Sequence, residues 1–208
     1  MPATATRPRR PLAPTTIPPE SIPPESVPPV VDAPSDGGLV PDAGVWTATV
    51  GSPVGPLTLT ARDGALVGLT MEDQAHLVAP PAGARRDPAA LAGVAAQLEE
   101  YFAGERRAFT VPVVLEGTGF QRQVWSELCA IPYGTVVSYG ELARRVGWPG
   151  ASRAVGQANG RNPVAVVVPC HRVVAADGGL GGYSGGLERK AVLLDLERAH
   201  RSAPPALP

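Results

Sequence analysis

Only two of the 208 residues are cysteine, Cys129 and Cys170, and only three are histidine. Two thiols cannot build a disulfide framework, and a cytosol keeps them reduced. A zinc site drawn from Cys129, Cys170, His171 and His200 lacks paired-ligand spacing, and adjacent residues rarely share one tetrahedral ion. Neither a metal nor a cofactor is therefore expected. No apolar run approaches a membrane span, and no apolar segment follows the basic residues at the N-terminus. These absences give the expectation of a cytoplasmic, monomeric protein with no membrane partner. Lysine is nearly missing too: Lys190 is the only one in the chain. A net charge of −1 speaks against a general nucleic-acid binder, but the charge is uneven. From Thr118 to Val174, six arginines (Arg122, Arg144, Arg145, Arg153, Arg161, Arg172) face two acids, Glu127 and Glu141. A localised phosphate-binding face needs such a surplus, although a solvated arginine-rich surface accounts for it equally well.

Proline, by contrast, is abundant and unevenly placed. Residues 1–44 hold twelve of the 25 prolines, with a near repeat of IPPES and no lasting hydrophobic period. Proline denies the backbone its ladder donors, so this stretch reads as a disordered tail outside the fold, as do residues 201–208. Residues 45–115 read as a small α/β domain. "VWTATVGSPVGPLTLTARDGALVGLTM" divides into three strands at a Gly-Ser-Pro turn and at the hairpin signal Asp63-Gly64. "HLVAPPAGARRDP" reads as a loop containing a surface His76. Leu91, Val94, Ala95, Leu98, Tyr101 and Phe102 then follow helical spacing, with Gly104 past the end, and "AFTVPVVL" reads as a further strand.

Residues 116–200 read as a mostly helical second domain. "GFQRQVWSELCAI" puts Phe120, Val124, Trp125 and Leu128 on one face, with Cys129 beside it as a small core residue. Ser138 stands three residues before Glu141, a capping-box spacing that starts a helix over "SYGELARRV". "GWPG" breaks that helix and "ASRAVGQANG" forms another. Two short helices around a glycine-containing break make a helix-turn-helix candidate. In the second, Ala151, Ala154, Gly156 and Ala158 leave little bulk, so its backbone can press into a groove or against protein. Arg153 is its one charged side chain.

The chemistry concentrates in "RNPVAVVVPCHRVV", read as a buried apolar strand between Pro163 and Pro169 with Cys170 where the chain leaves the sheet. A thiol becomes a nucleophile only when ionised, which needs a base or a positive charge nearby. His171 is adjacent in sequence, but neighbours on extended chain face opposite ways, so contact requires a turn here. A third group must orient the imidazole. Glu188, Asp195 and Glu197 of the C-terminal helix all qualify, and spacing does not choose among them. Arg172 reads as structural, pairing with an acid or with backbone carbonyls. An ordinary buried cysteine and a papain-like hydrolase stay open on this logic. A phosphatase loop does not, since the arginine it needs six positions on is Ala176.

"FQRQVW", "IPYGTVVSYGELA", "ASRAVGQANGRNP", "PCHRVV", "GGYSGGLERK" and "LLDLE", in this order and spacing, resemble the O6-alkylguanine-DNA alkyltransferases, or methylated-DNA–protein-cysteine methyltransferases. The likeness is close from Gly117 to Glu197, looser over the preceding domain, and does not reach the proline-rich tail. It implies an RNase H-like N-terminal sheet-plus-helix domain and a C-terminal domain with a winged-helix-like helix-turn-helix. It further implies irreversible, single-turnover transfer of the methyl group of O6-methylguanine in double-stranded DNA to Cys170. O4-methylthymine is left open as a second substrate. By the same resemblance His171 is the base, Glu197 the orienting carboxylate, and Tyr139 a contact to the guanine ring. Ser184 lies near O6, and Tyr183 and Val173 line the pocket. The bare helix, with Ala151, Ala154 and Gly156, enters the minor groove. Arg153 fills the space of the flipped base, and Asn162 ties that helix to the active-site turn. The metal-binding residues of some family members have no counterpart, and the missing regulatory domain points away from a transcription-activating member. A non-catalytic lesion sensor is the rival within the family, but such proteins replace the cysteine.

Overall fold

The computed structural model describes residues 12–14, 28–31, 44–76 and 79–201. Three strands, β2 (Val45–Val50), β3 (Leu57–Arg62) and β4 (Ala65–Met71), form an antiparallel meander. The β3–β4 turn needs two residues in the left-handed region, and Asp63 (φ 52°) with Gly64 (φ 76°) supplies them. Leu57, Leu59, Leu66 and Leu69 are fully buried in one apolar core with Leu98 and Tyr101 of helix α1 (Ala92–Phe102) and with residues of the second domain. Each such side chain contributes roughly 1.5–3 kcal/mol of burial. Gly104, at φ 80°, ends α1 with its N–H on the Tyr101 carbonyl.

Three two-residue strands complete the sheet: β1 (Val30–Val31), β5 (Arg85–Arg86) and β6 (Val113–Val114), in the order β1-β6-β4-β3-β2-β5. Two of these correct the sequence reading. β5 lies in the stretch read as a loop, where Arg85 and Arg86 pair in parallel with Trp46 and Thr47. β1 lies in the segment assigned to a disordered tail, yet it pairs in parallel with β6, and Pro28 just before it is buried. Farther up the chain, Leu12 donates its N–H to the Gly178 carbonyl and packs on Val136, Val174 and Leu194. Single apolar residues between prolines find partners even though no periodic pattern announces them. The rest of 1–44, and residues 202–208, lie outside the described residues.

The second domain runs through α2 (Gly119–Cys129), β7 (Val137–Ser138), α3 (Tyr139–Arg145), α4 (Ser152–Gly160), β8 (Val173–Val174) and α5 (Leu187–His200). Thr118 begins α2 with a reciprocal capping box to Gln121. Ser138 caps α3 through the Glu141 N–H, but the Glu141 carboxylate turns instead to Arg144 and Arg145. α4 packs against α2 and α3 and is anchored where the Trp125 indole donates to the Ala158 carbonyl at 2.8 Å. β7 and β8 pair in parallel.

The apolar run before Cys170 is buried as expected, but it is not a strand. A single bridge joins Val164 to Leu69 of β4, and the chain then folds on itself. The Val167 N–H bonds to Ala165, Val168 to Val164 and Cys170 to Val168. Val166 takes φ 69°, a left-handed conformation costing a β-branched residue about 1–2 kcal/mol. The physical reason is Asn162. Its side chain accepts from the Val164 N–H at 3.0 Å and donates to the Val168 carbonyl at 2.8 Å, taking groups a ladder would have used. Apolar composition reports burial, not backbone shape.

Candidate active site

Cys170, His171 and Arg172 form one 3-10 turn, and all three are buried. The turn removes the obstacle of opposite-facing neighbours. Across from it, α5 presents Glu197, which is fully buried. His171 Nε2 lies 2.9 Å from Glu197 Oε1. A carboxylate only accepts, so Nε2 carries the hydrogen and Nδ1 is left as the basic lone pair. Nδ1 is buried and has no hydrogen-bond partner among the described residues.

Glu197 is the hub of the site. Its Oε1 also accepts from Arg172 Nη2 at 2.8 Å and from the Tyr101 hydroxyl at 2.9 Å, and its Oε2 from the Gly134 N–H at 2.9 Å. Gly134, at φ 70°, sits in the Pro132–Thr135 turn, where only that backbone conformation brings its N–H inward. Burial alone would raise the Glu197 carboxyl. The charge of Arg172 and the hydrogen bonds from His171 and Arg172 override it and hold it well below the usual carboxylate range. Arg172 also donates to the Ile131 carbonyl at 2.5 Å, which gives it the structural pairing expected of it and removes it from any phosphate-binding face.

The remaining groups divide by their response to burial. Burial pushes His171 below its usual range, against the pull of Glu197, so the resting imidazole is neutral. Burial pushes the Cys170 thiol up, while a hydrogen bond from Asn162 and the charge of Lys190 pull it down. The resting site therefore holds a protonated thiol and, on the next residue of the turn, a neutral base. Cys129 is also buried, and its thiol is pushed up to about 12, which fits an inert core residue.

Of the expected pocket residues, Tyr139 donates its hydroxyl to the Gly182 carbonyl at 3.0 Å. Burial raises its pKa. Gly181 has φ 66°, and a Cβ there would stand 2.9 Å from the Tyr139 ring, so the loop closes on this tyrosine only with glycine. The Tyr183 hydroxyl is buried near Cys170 but makes no hydrogen bond of good geometry. Ser184 is held by its backbone, whose carbonyl accepts from the Ala75 N–H at 2.9 Å. Val173 is fully buried. On α4, Arg153 and Ala154 are exposed and Ala151 and Gly156 half-buried, with Gly156 against the Tyr139 ring. Asn159 on the same helix donates to the Cys170 carbonyl at 3.3 Å.

Three residues escaped the sequence reading. Tyr101 looked like part of an apolar helix stripe. Asn159 had no signal beyond being polar in a small-residue helix. Lys190 did carry a signal, as the sole lysine in an arginine-rich chain. It is fully buried, its ammonium donating to the carbonyls of Val173 at 2.5 Å, Gly182 at 3.2 Å and Leu180. Burial pulls it down to about 8, against the pull of Cys170. Among the described residues, no group of three or more His, Cys, Asp or Glu side chains could hold a metal, and no helix is long and apolar enough to cross a membrane.

Comparison with known proteins adds three findings. Residues 45–115 match the family described as 6-O-methylguanine DNA methyltransferase, ribonuclease-like domain, and residues 119–199 its DNA binding domain. A methylated-DNA–protein-cysteine methyltransferase of Mycolicibacterium paratuberculosis is 54% identical over 155 residues, 74% of this chain and 93% of that protein. One from Mycobacterium bovis is 49% identical over 157 residues, 74% and 93% of the two chains. The crystal structure of Mycobacterium tuberculosis OGT in complex with DNA superposes with a TM-score of 0.71 at 48% identity, covering 78% of this chain and 96% of that one.

Proposed function

The chain belongs to the 6-O-methylguanine DNA methyltransferase family and repairs DNA by moving a methyl group onto a cysteine of its own, and we propose that this cysteine is Cys170. The observation that carries the assignment is the buried Glu197–His171 pair, whose His171 has an unpartnered Nδ1 and stands in the same turn as Cys170. The other thiol, Cys129, lies in the core and is pushed up to about 12 by burial.

In the proposed reaction the Cys170 proton passes through a water to His171 Nδ1, and Glu197 stabilises the imidazolium that results. The thiolate attacks the methyl carbon of O6-methylguanine, an S–C bond forming as the C–O6 bond breaks. The guanine departs with the electron pair and must receive hydrogen-bond support. We assign this support to the neutral Tyr139 hydroxyl and the Ser184 hydroxyl, with Tyr183 and Val173 walling the base. No step regenerates the thiol, so each molecule reacts once and no cofactor enters.

A methyl group inside a duplex is out of reach of a buried thiol, so the base must leave the stack. We assign this task to α3 and α4 acting as a winged-helix-like helix-turn-helix, with α4 in the minor groove of double-stranded DNA. Its exposed Arg153 and Ala154 and half-buried Ala151 and Gly156 support close approach, and Arg153 would occupy the gap. Asn159 and Asn162 couple this helix to the Cys170 turn. The protein would act as a monomer, and O4-methylthymine would enter the same pocket if its width allows.

Intact-protein mass spectrometry after incubation with duplex DNA carrying one O6-methylguanine tests the reading, with Cys170→Ser beside it. The expected result is a stoichiometric gain of one methylene, mapped to Cys170 and absent from the variant. Lesion-dependent binding without mass gain would instead make the protein a sensor, and repeated turnover without DNA a hydrolase.

A further inference from the structure

We propose that Tyr101, on helix α1 of the N-terminal domain, is a positioning residue of the reaction, holding Glu197 so that the N-terminal domain completes the catalytic network of the C-terminal one. The inference rests on the assignment of Cys170, His171 and Glu197 above.

The Tyr101 hydroxyl donates to Glu197 Oε1 at 2.9 Å, with the side chain fully buried. Oε1 is the oxygen that also takes His171 Nε2 and Arg172 Nη2. Its ring is fixed edge-on against Phe102 and Tyr133 and tilted against Phe109. A phenol buried against apolar rings must find an acceptor, and phenylalanine would fill the same space without one. The choice of tyrosine is therefore explained by Glu197. Burial raises its hydroxyl well above the ordinary range, so it donates at every working pH.

The consequence is electrostatic as well as geometric. Facing Glu197 are Tyr101 from α1, the Gly134 N–H and Tyr133 from the loop after α2, and His171 and Arg172 from the 3-10 turn. Lys190 of α5 acts on His171 and Cys170, and Arg107 on Tyr133. Within this set Tyr101 is the neutral side-chain donor that competes with His171 for Oε1. Each donor on that oxygen spreads its negative charge and lowers its pull on the imidazole proton. Removing the Tyr101 hydroxyl strengthens that pull, raises the pKa of His171, and leaves less neutral base at a given acidic pH.

The test compares the full-length protein with Tyr101→Phe. Single-turnover methyl transfer at saturating protein is followed from acid to neutral pH, and the histidine nitrogens are followed by NMR in 15N-histidine-labelled protein. The expected result is a several-fold slower reaction for Tyr101→Phe at the acid end, with the acid limb and the His171 titration both displaced to higher pH. In a Glu197→Gln background, Tyr101→Phe should shift neither further. A loss of stability alone would lower the unfolding midpoint but leave the His171 titration in place, and that outcome overturns the proposal. Failure of the unmodified protein to methylate Cys170 would overturn the functional reading instead, while the His171 titration would still decide the role of Tyr101.

Discussion

The side-chain amide of Asn162 donates to the Val168 carbonyl at 2.8 Å while its oxygen accepts from the Val164 N–H at 3.0 Å. One buried residue thus clamps both ends of the coil that delivers Cys170. The same residue stands at the end of α4, so the proposed groove-binding helix and the thiol share a fastening. Replacing it with alanine leaves the buried Val164 N–H without a partner and takes one of two donors from the Val168 carbonyl, which keeps the Cys170 N–H. Asn162→Ala should lose about 1–3 kcal/mol in urea unfolding. It should also slow methyl transfer at saturating DNA, because the Cys170 turn loosens and a hydrogen bond favouring the thiolate disappears.

Glu197 makes acid stability measurable. Its folded-state pKa lies far below its ordinary value of 4.5. The stabilisation it contributes is fully present above that ordinary value and is lost as pH falls toward the folded one. Unfolding free energies measured from neutral pH downward should fall steeply below about 4.5 in the native protein. Glu197→Gln should flatten that slope. It should also be less stable at neutral pH by about 3–5 kcal/mol, since Arg172 is left buried without its counter-charge.

Lys190→Met tests the electrostatic setting of the thiol. The substitution keeps the chain length and removes the positive charge that favours a Cys170 thiolate. The thiol pKa should rise and methyl transfer at neutral pH should slow by about tenfold for each unit. Raising the pH should recover part of the rate, whereas a purely structural defect would not recover. A stopped-flow pH series on both proteins decides this.

The N-terminal segment should contribute to stability. Removing residues 1–44 strips β1 from β6 and uncovers the apolar patch of Val136, Val174 and Leu194 on which Leu12 sits. The truncated protein should unfold at lower denaturant, with a loss of about 1–3 kcal/mol. Gly178→Ala should reproduce part of that loss in the full chain. Gly178 has φ 82°, and a Cβ there would run into the Leu12 carbonyl.

Local rules carried the reading of the sequence where they acted alone. The Asp63-Gly64 turn, the α1 stripe ended by Gly104 and the Ser138 cap are decided within a few residues, because backbone conformation and capping are short-range. The ordered motifs from Phe120 to Glu197 likewise marked the family and its candidate thiol, base and carboxylate. Tertiary structure decided the rest. The run before Cys170 is as apolar as a buried strand, and only the Asn162 side chain turned it into coil. Valine pairs and a lone leucine among prolines carry no period, and only the sheet edge and the apolar patch gave β1 and Leu12 a place. Spacing alone left Glu188, Asp195 and Glu197 equal; the family resemblance pointed to Glu197, and the fold buries that residue beside His171 and Arg172. Tyr101 is the clearest case. Its helical spacing reports which way it faces, but its hydrogen bond joins residues 96 apart in the chain. No local pattern encodes such a bond, because it exists only once both domains have packed.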